Sequence, residues 1–362
     1  MKKDLIFIDE NIALLPQMLE NCASVNTFSG RKLSNSDLMT SNCNILISRS
    51  QTKINEELLS GTKVRFAATA TSGIDHVDLD YLKKENIVFA NASGANANSV
   101  AEYVVYAILK WSFINSLDLK GKTLGIIGYG NIGKIVARYG SWLGLKVLVN
   151  DPPLKDNEFA FPDSIDYVEL SELCAFSDVI TNHVPLSLNG QYPTKYLLNQ
   201  KLIDSIRKNS LFIHSSRGGV VEESAILERT SKNEIKIAID VWENEPFFDV
   251  KLAEMSMLCS PHIAGYSRDG KLKGTLIMAE QYSIFSGNTP DYSLLNRELE
   301  LYKPISKDYF SNYKYIMETI ENNRQFEYDT RFFKELFILD NKERAIEFDL
   351  QRKNYPIRRE TL

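Results

Sequence analysis

Apolar positions fall into short runs of five to seven residues at 4–8, 44–48, 64–70 and 87–91, with polar or helix-spaced stretches between them. Such runs suit strands buried on both faces and joined by helical crossovers, so the first hundred residues read as a parallel α/β unit. A second series at 123–127, 146–149, 178–181, 210–214 and 236–240 predicts a second parallel sheet. Between the two, Val100, Val104, Val105, Ile108 and Leu109 recur at helical spacing behind Asn98, a residue type that caps helix N-termini. They predict a long helix joining the units. Beyond about residue 290 the rhythm is lost: the last glycine is Gly287, and Tyr, Phe, Asn, Glu and Lys become frequent. The tail reads as a small separate α+β module whose stripe of Phe332, Phe333, Leu336 and Phe337 marks a core or a subunit contact.

The run at 123–127 leads straight into Gly128, Gly130 and Gly133, followed by Ile132, Ile135, Val136, Tyr139, Trp142 and Leu143 at helical spacing. Strand, glycine turn and helix in this order form a dinucleotide-binding unit. The first glycine permits the sharp turn, the second lets backbone N–H groups near a pyrophosphate, and the third lets the helix pack on the sheet. Asn131 and Ile132 open that helix, whose N-terminus favours negative charge. The next apolar run ends at Asp151, eighteen residues after Gly133, where a carboxylate takes both hydroxyls of an adenosine ribose and repels a 2′-phosphate. NAD is therefore expected rather than NADP.

Length and charge narrow the class. With 362 residues, 44% of them hydrophobic, the chain has material for two or three domains. Its net charge of −5 and scattered basic residues give no stripe for nucleic acid and no face for an anionic membrane. Cys22, Cys43, Cys174 and Cys259 lie far apart, so neither a metal cage nor a disulfide framework is expected. No segment approaches 18 apolar residues, which points to a cytoplasmic protein.

Candidate chemistry sits where the predicted strands end. Arg217 lies in Ser215-Ser-Arg-Gly-Gly219, Glu245 in Asp240-Val-Trp-Glu-Asn-Glu-Pro246, and His262 in Ser260-Pro-His-Ile-Ala-Gly265. Oxidising an alcohol beside a carboxylate calls for these types: a guanidinium to grip the carboxylate, an imidazole to take the hydroxyl proton, and a carboxylate to orient the imidazole. In the first unit, the loops Arg49-Ser-Gln-Thr52 and Thr69-Ala-Thr-Ser-Gly-Ile-Asp-His76 follow predicted strands, where ligands gather in open α/β sheets. They are either substrate loops or plain surface turns.

The glycine turn, His183-Val-Pro-Leu186, the segment 216–221, Asp240–Pro246 and Pro261-His-Ile-Ala-Gly265 resemble the D-isomer-specific 2-hydroxyacid dehydrogenases over residues 4–290. The resemblance implies a Rossmann cofactor domain at 111–262, a flavodoxin-like substrate domain built from 1–110 with 263–290, and a dimerisation domain at 291–362. It gives catalysis to Arg217, Glu245 and His262, NAD contacts to Asp151, Val184, Asp240 and Gly265, and substrate contacts to Ser50, Thr71 and Tyr266. Asp9-Glu-Asn11, Arg49–Asn55, Ala68–Asp78 and His262–Ser267 with Gly270-Lys-x-x-Gly274 point to a branch of the family that acts on a phosphorylated 2-hydroxy acid. A phosphate needs further cations, for which Arg49 in the loop and Arg352, Arg358 or Arg359 in the tail are candidates, the tail residues reaching across a homodimer. The tail run 352–359 reads equally as a solvated basic end. Two other readings stay open: a dehydrogenase of another D-2-hydroxy acid such as 3-phosphoglycerate, and a non-catalytic NAD(H)-sensing binding protein.

Overall fold

The computed structural model describes residues 3–362 and divides into two compact units. The first holds the residues up to Asn96 together with Ser267–Lys303. Its sheet is parallel throughout, in the order β2-β1-β3-β4-β5, with β1 at Leu5–Asp9, β2 at Ser24–Phe28, β3 at Ile45–Ser48, β4 at Phe66–Thr69 and β5 at Val88–Asn91. Alternation along each strand sends side chains to opposite faces. Ile6, Ile8, Ile45, Ile47 and Phe66 meet Leu272, Met278 and Tyr282 of the helix Arg268–Ser286, while Phe7, Leu46 and Ala67 meet Leu38, Leu58 and Leu82.

The second unit is Ala97–Tyr266 with Pro304–Leu362. Seven parallel strands run in the order β12-β11-β10-β9-β6-β7-β8: β6 at Thr123–Ile127, β7 at Lys146–Asn150, β8 at Ile165–Tyr167, β9 at Val179–Asn182, β10 at Ser210–His214, β11 at Ile235–Ile239 and β12 at Leu258–Cys259. Strand order reverses between β6 and β9, so their carboxyl ends flank the crevice of a doubly wound sheet.

Three expectations need correction. Asn98 does not cap the long helix, which spans Ala97–Ile114 and lies wholly in the second unit. Buried in its first turn, Asn98 donates to Glu360 and to the Leu362 carbonyl at 2.7 Å and accepts from the Tyr139 hydroxyl at 2.6 Å. Tertiary partners outbid the local cap. The tail is not an α+β module: its described residues form helices and no strand, and those from Pro304 onward join the second unit. Phe310, Ile316, Ile320 and Phe326 enter the core around the long helix, and Phe333, Leu336 and Phe348 pack with Trp242 and Phe248. Nor is the basic end simply solvated. Arg358 binds Asp329 at 2.7 Å, Glu360–Leu362 are buried, and Arg324 forms a fully buried pair with Glu102 at 2.5 Å. The division thus differs from the expected one near residues 97 and 304.

Candidate active site

The glycine turn has the shape that a pyrophosphate requires. Gly128 leaves β6 at φ +90°, a conformation costly for any residue with a Cβ, and a Cβ there would stand 2.9 Å from Val184, just beyond β9. A Cβ on Gly133 would lie 2.1 Å from the Gly128 carbonyl, so only glycine lets the helix Asn131–Trp142 start this close to the strand. The face at Gly130 is open, with no heavy atom within 4 Å of a built Cβ. At the end of β7, Asp151 accepts from the Tyr129 N–H at 2.7 Å and caps the short helix Pro152–Asp156 through the Leu154 N–H at 3.1 Å. These two bonds fix its carboxylate beside the turn while leaving lone pairs for ribose hydroxyls. The residues therefore fit NAD: the turn for the pyrophosphate, Asp151 for the adenosine ribose.

Arg217, Glu245 and His262 stand on the loops after β10, β11 and β12. Gly218 packs so closely on the Trp242 carbonyl that a Cβ would stand 1.9 Å from it, which sets the Arg217 loop against the backbone leading to Glu245. His262 Nδ1 lies 2.9 Å from Glu245 Oε2 and 3.1 Å from Oε1, and Oε1 also accepts from the Trp242 N–H at 3.0 Å. Burial alone pushes the Glu245 carboxyl up, but the facing imidazole, these hydrogen bonds and the Arg352 guanidinium outweigh it and hold the group below the usual carboxylate range. Glu245 is therefore ionised and Nδ1 is the donor.

Asp240 builds the loop that carries the histidine. His262 sits at φ 58°, the left-handed region, with its N–H donating to the Asp240 carbonyl at 2.7 Å. The buried side chain of Asp240 accepts from the Ser260 hydroxyl at 2.7 Å and from the N–H groups of Ile263 at 2.7 Å and Ala264 at 3.0 Å. Burial pushes its carboxyl up against these bonds. Asp240, expected at the cofactor, braces the loop that carries His262.

One further group was not foreseen, and another, Arg352, was expected at a substrate phosphate across a homodimer. His214, the last residue of β10, is buried near Glu245 and His262, and burial first, then the His262 charge, holds its imidazole down at about 3, with Glu245 opposing. It is a neutral ring that faces Asn182 at 3.2 Å. Nothing in the run Leu211–Ile213 marks the next residue as a site neighbour. Arg352, from the tail helix Asn341–Lys353, stands close enough within the same chain to feel Tyr266, Glu245 and Asp240 electrostatically. The first unit carries the expected substrate loops: Arg49 and Ser50 follow β3, and Thr71 follows β4 with its hydroxyl 2.9 Å from that of Thr69.

A doubly wound sheet with a glycine turn at its crevice and an Arg–Glu–His group on adjoining loops defines a dehydrogenase of 2-hydroxy acids. The model of the D-isomer specific 2-hydroxyacid dehydrogenase NAD binding domain matches residues 99–264. Full-length relatives narrow this further. An erythronate-4-phosphate dehydrogenase of Hahella chejuensis is 38% identical over 359 residues, covering 98% of this chain and 92% of that protein, and one of Acinetobacter baumannii is 35% identical, covering 98% and 97%. The chain belongs to the erythronate-4-phosphate dehydrogenase family. Its fold is shared with solved D-2-hydroxyacid dehydrogenases: the D-mandelate dehydrogenase of Rhodotorula graminis has a TM-score of 0.68 at 19% identity over 80% of this chain and 98% of that one. The D-lactate dehydrogenase of Aquifex aeolicus, solved with NAD and lactic acid, has a TM-score of 0.61 at 24% identity over 78% and 96%.

Proposed function

We infer that this protein catalyses the NAD-dependent oxidation of 4-phospho-D-erythronate at C2 to 2-oxo-3-hydroxy-4-phosphobutanoate, a step of pyridoxal phosphate biosynthesis. The observation that carries the chemistry is the His262–Glu245 pair, with Nδ1 committed to the carboxylate at 2.9 Å. That bond leaves the Nε2 lone pair to take the C2 hydroxyl proton, and Glu245 stabilises the imidazolium that results. Arg217 grips the substrate carboxylate and polarises the developing carbonyl oxygen. Gly128, Gly130, Asn131, Ile132 and Gly133 hold the pyrophosphate, Asp151 the ribose, and Val184, Asp240 and Gly265 complete the cofactor side. When bound, NAD supplies the acceptor for the C2 hydride. Ser50, Thr71 and Tyr266 contact the substrate.

NADH formation from 4-phosphoerythronate, set against 3-phosphoglycerate, tests this reading. A hydrazine trap should draw off the oxo acid. A higher kcat/KM on 3-phosphoglycerate would reassign the substrate, and no turnover on either would favour an NAD(H)-sensing role. Exposed Tyr328, Phe332, Ile338 and Ile346 on the tail helices support a homodimer, which light scattering of the purified chain tests.

A further inference from the structure

The first unit brings two cations, Arg49 and Lys271, to one edge of its sheet. Arg49 leaves the carboxyl end of β3, the middle strand of the sheet, in a turn closed by the Thr52 N–H on the Arg49 carbonyl at 3.0 Å. Thr52 is buried and donates to the Gly30 carbonyl at 3.0 Å, so the turn is pinned. Lys271 belongs to the helix Arg268–Ser286, whose first turns cross the same edge of the sheet. A Cβ built on Gly274 would lie 3.4 Å from the Ala70 carbonyl after β4, and one on Gly270 3.4 Å from the Ala95 carbonyl after β5. One helical turn beyond Lys271 and on the same face, Thr275 donates to the Ala13 carbonyl after β1 at 2.8 Å. Lys271 therefore faces the β1 and β3 side of the edge, where Arg49 stands. Burial, and then the Arg49 charge, hold the Lys271 ammonium below the usual lysine range.

Two other cations of this unit have acids beside them. Arg65 pairs with Asp4 at 2.6 Å and Arg268 with Glu298. Among the described residues neither Arg49 nor Lys271 has an ion-pair partner, and the nearby Asp9 spends Oδ1 on the Asn11 N–H at 2.9 Å and side-chain amide at 3.1 Å. Two adjacent like charges at the ligand edge of an open sheet repel each other until an anion joins them. A phosphate dianion meets both demands, one charge for each cation.

Resting on the function proposed above, we propose that Arg49 and Lys271 are the pair that binds the substrate phosphate, with the Ser50 hydroxyl as a further donor. Gly270 and Gly274 then serve to seat the helix close enough for Lys271 to reach.

Two measurements on the full chain test the pair. The first is inorganic phosphate binding by calorimetry, with NAD at saturation so that the glycine turn is filled. Lys271→Gln should weaken it about 10- to 100-fold, the range expected for one charged hydrogen bond, and Lys271→Arg should restore it. The second is the ratio of kcat/KM on 4-phosphoerythronate to that on unphosphorylated erythronate, which should fall by a similar factor in Lys271→Gln and in Arg49→Gln. An unchanged ratio with unchanged phosphate binding overturns the pair, and so do equal losses on both substrates. If the wild type oxidises neither substrate while Lys271→Gln still loses phosphate, the substrate reading fails and the anion site stands.

Discussion

His262 and Glu245 form a two-pronged contact, Nδ1 lying 2.9 Å from one carboxylate oxygen and 3.1 Å from the other, and the second oxygen also serves the Trp242 N–H. One carboxylate thus orients the ring and closes its own loop. Glu245→Gln offers a single oxygen for both donors and no charge for the imidazolium. Turnover should fall by about 10²–10⁴-fold while NAD still binds. Stopped-flow NADH formation and NAD titration read the two effects separately, and a kcat within a few fold of wild type would remove Glu245 from the proton path.

Asp151 is held by the Tyr129 and Leu154 N–H groups at 2.7 and 3.1 Å, so its remaining lone pairs point at a defined place beside the turn. Asp151→Asn keeps part of this geometry and removes the charge that repels a 2′-phosphate. NAD affinity should drop about 10-fold or more, the scale of one charged hydrogen bond, while discrimination against NADP narrows. Dissociation constants for both cofactors check this, and an unaltered pair of constants would place the ribose elsewhere.

His214 makes the second unit sensitive to acid. Burial holds its folded pKa at about 3, whereas an unfolded histidine titrates near 6.5. Below pH about 6.5 the unfolded chain gains a proton that the folded chain refuses. The stabilisation is therefore complete above that pH and is lost as pH falls towards 3, at about 1.4 kcal/mol per pH unit. Urea denaturation at pH 7 and pH 5 should differ by about 2 kcal/mol less in His214→Leu than in the wild type, whatever the variant costs at pH 7. Parallel losses in both proteins would show that His214 is protonated in the fold.

The sheets were legible because most of their strands are buried on both faces and so write unbroken apolar runs. β2 escaped because it is a polar edge strand, Ser24-Val-Asn-Thr-Phe28, with one buried residue, and β8 and β12 because three and two residues carry no period. The places of Gly128, Asp151 and the Arg217, Glu245 and His262 loops in the fold were legible from local spacing, since each follows a strand or a short turn. Arg352 could not be placed. Its neighbours Tyr266 and Glu245 are distant in sequence, and a basic run looks the same whether it is solvated or folded back. Asn98 failed for a related reason, its capping chemistry being spent on residues 139, 360 and 362.

That folded-back arginine allows a last prediction. The Arg352 guanidinium lies close enough to Tyr266, Glu245 and Asp240 for their charges to act on it, and its Nε has no hydrogen-bond partner. Tyr266 is also braced by the edge of Tyr355, with ring centroids 5.9 Å apart, and Tyr355 bonds Asp329 at 2.9 Å. On the function proposed above, the tail would position Tyr266 and help keep Glu245 charged, and so would act on the reacting end of the substrate rather than on its phosphate. Arg352→Gln should lower kcat about 10-fold or more, the scale of a lost charged hydrogen bond, and should do so equally on phosphorylated and unphosphorylated erythronate. Tyr266→Phe in the Arg352→Gln background should add little, because the two act through one contact. A loss confined to the phosphorylated substrate would instead make Arg352 a phosphate ligand, and additive losses in the double variant would uncouple it from Tyr266.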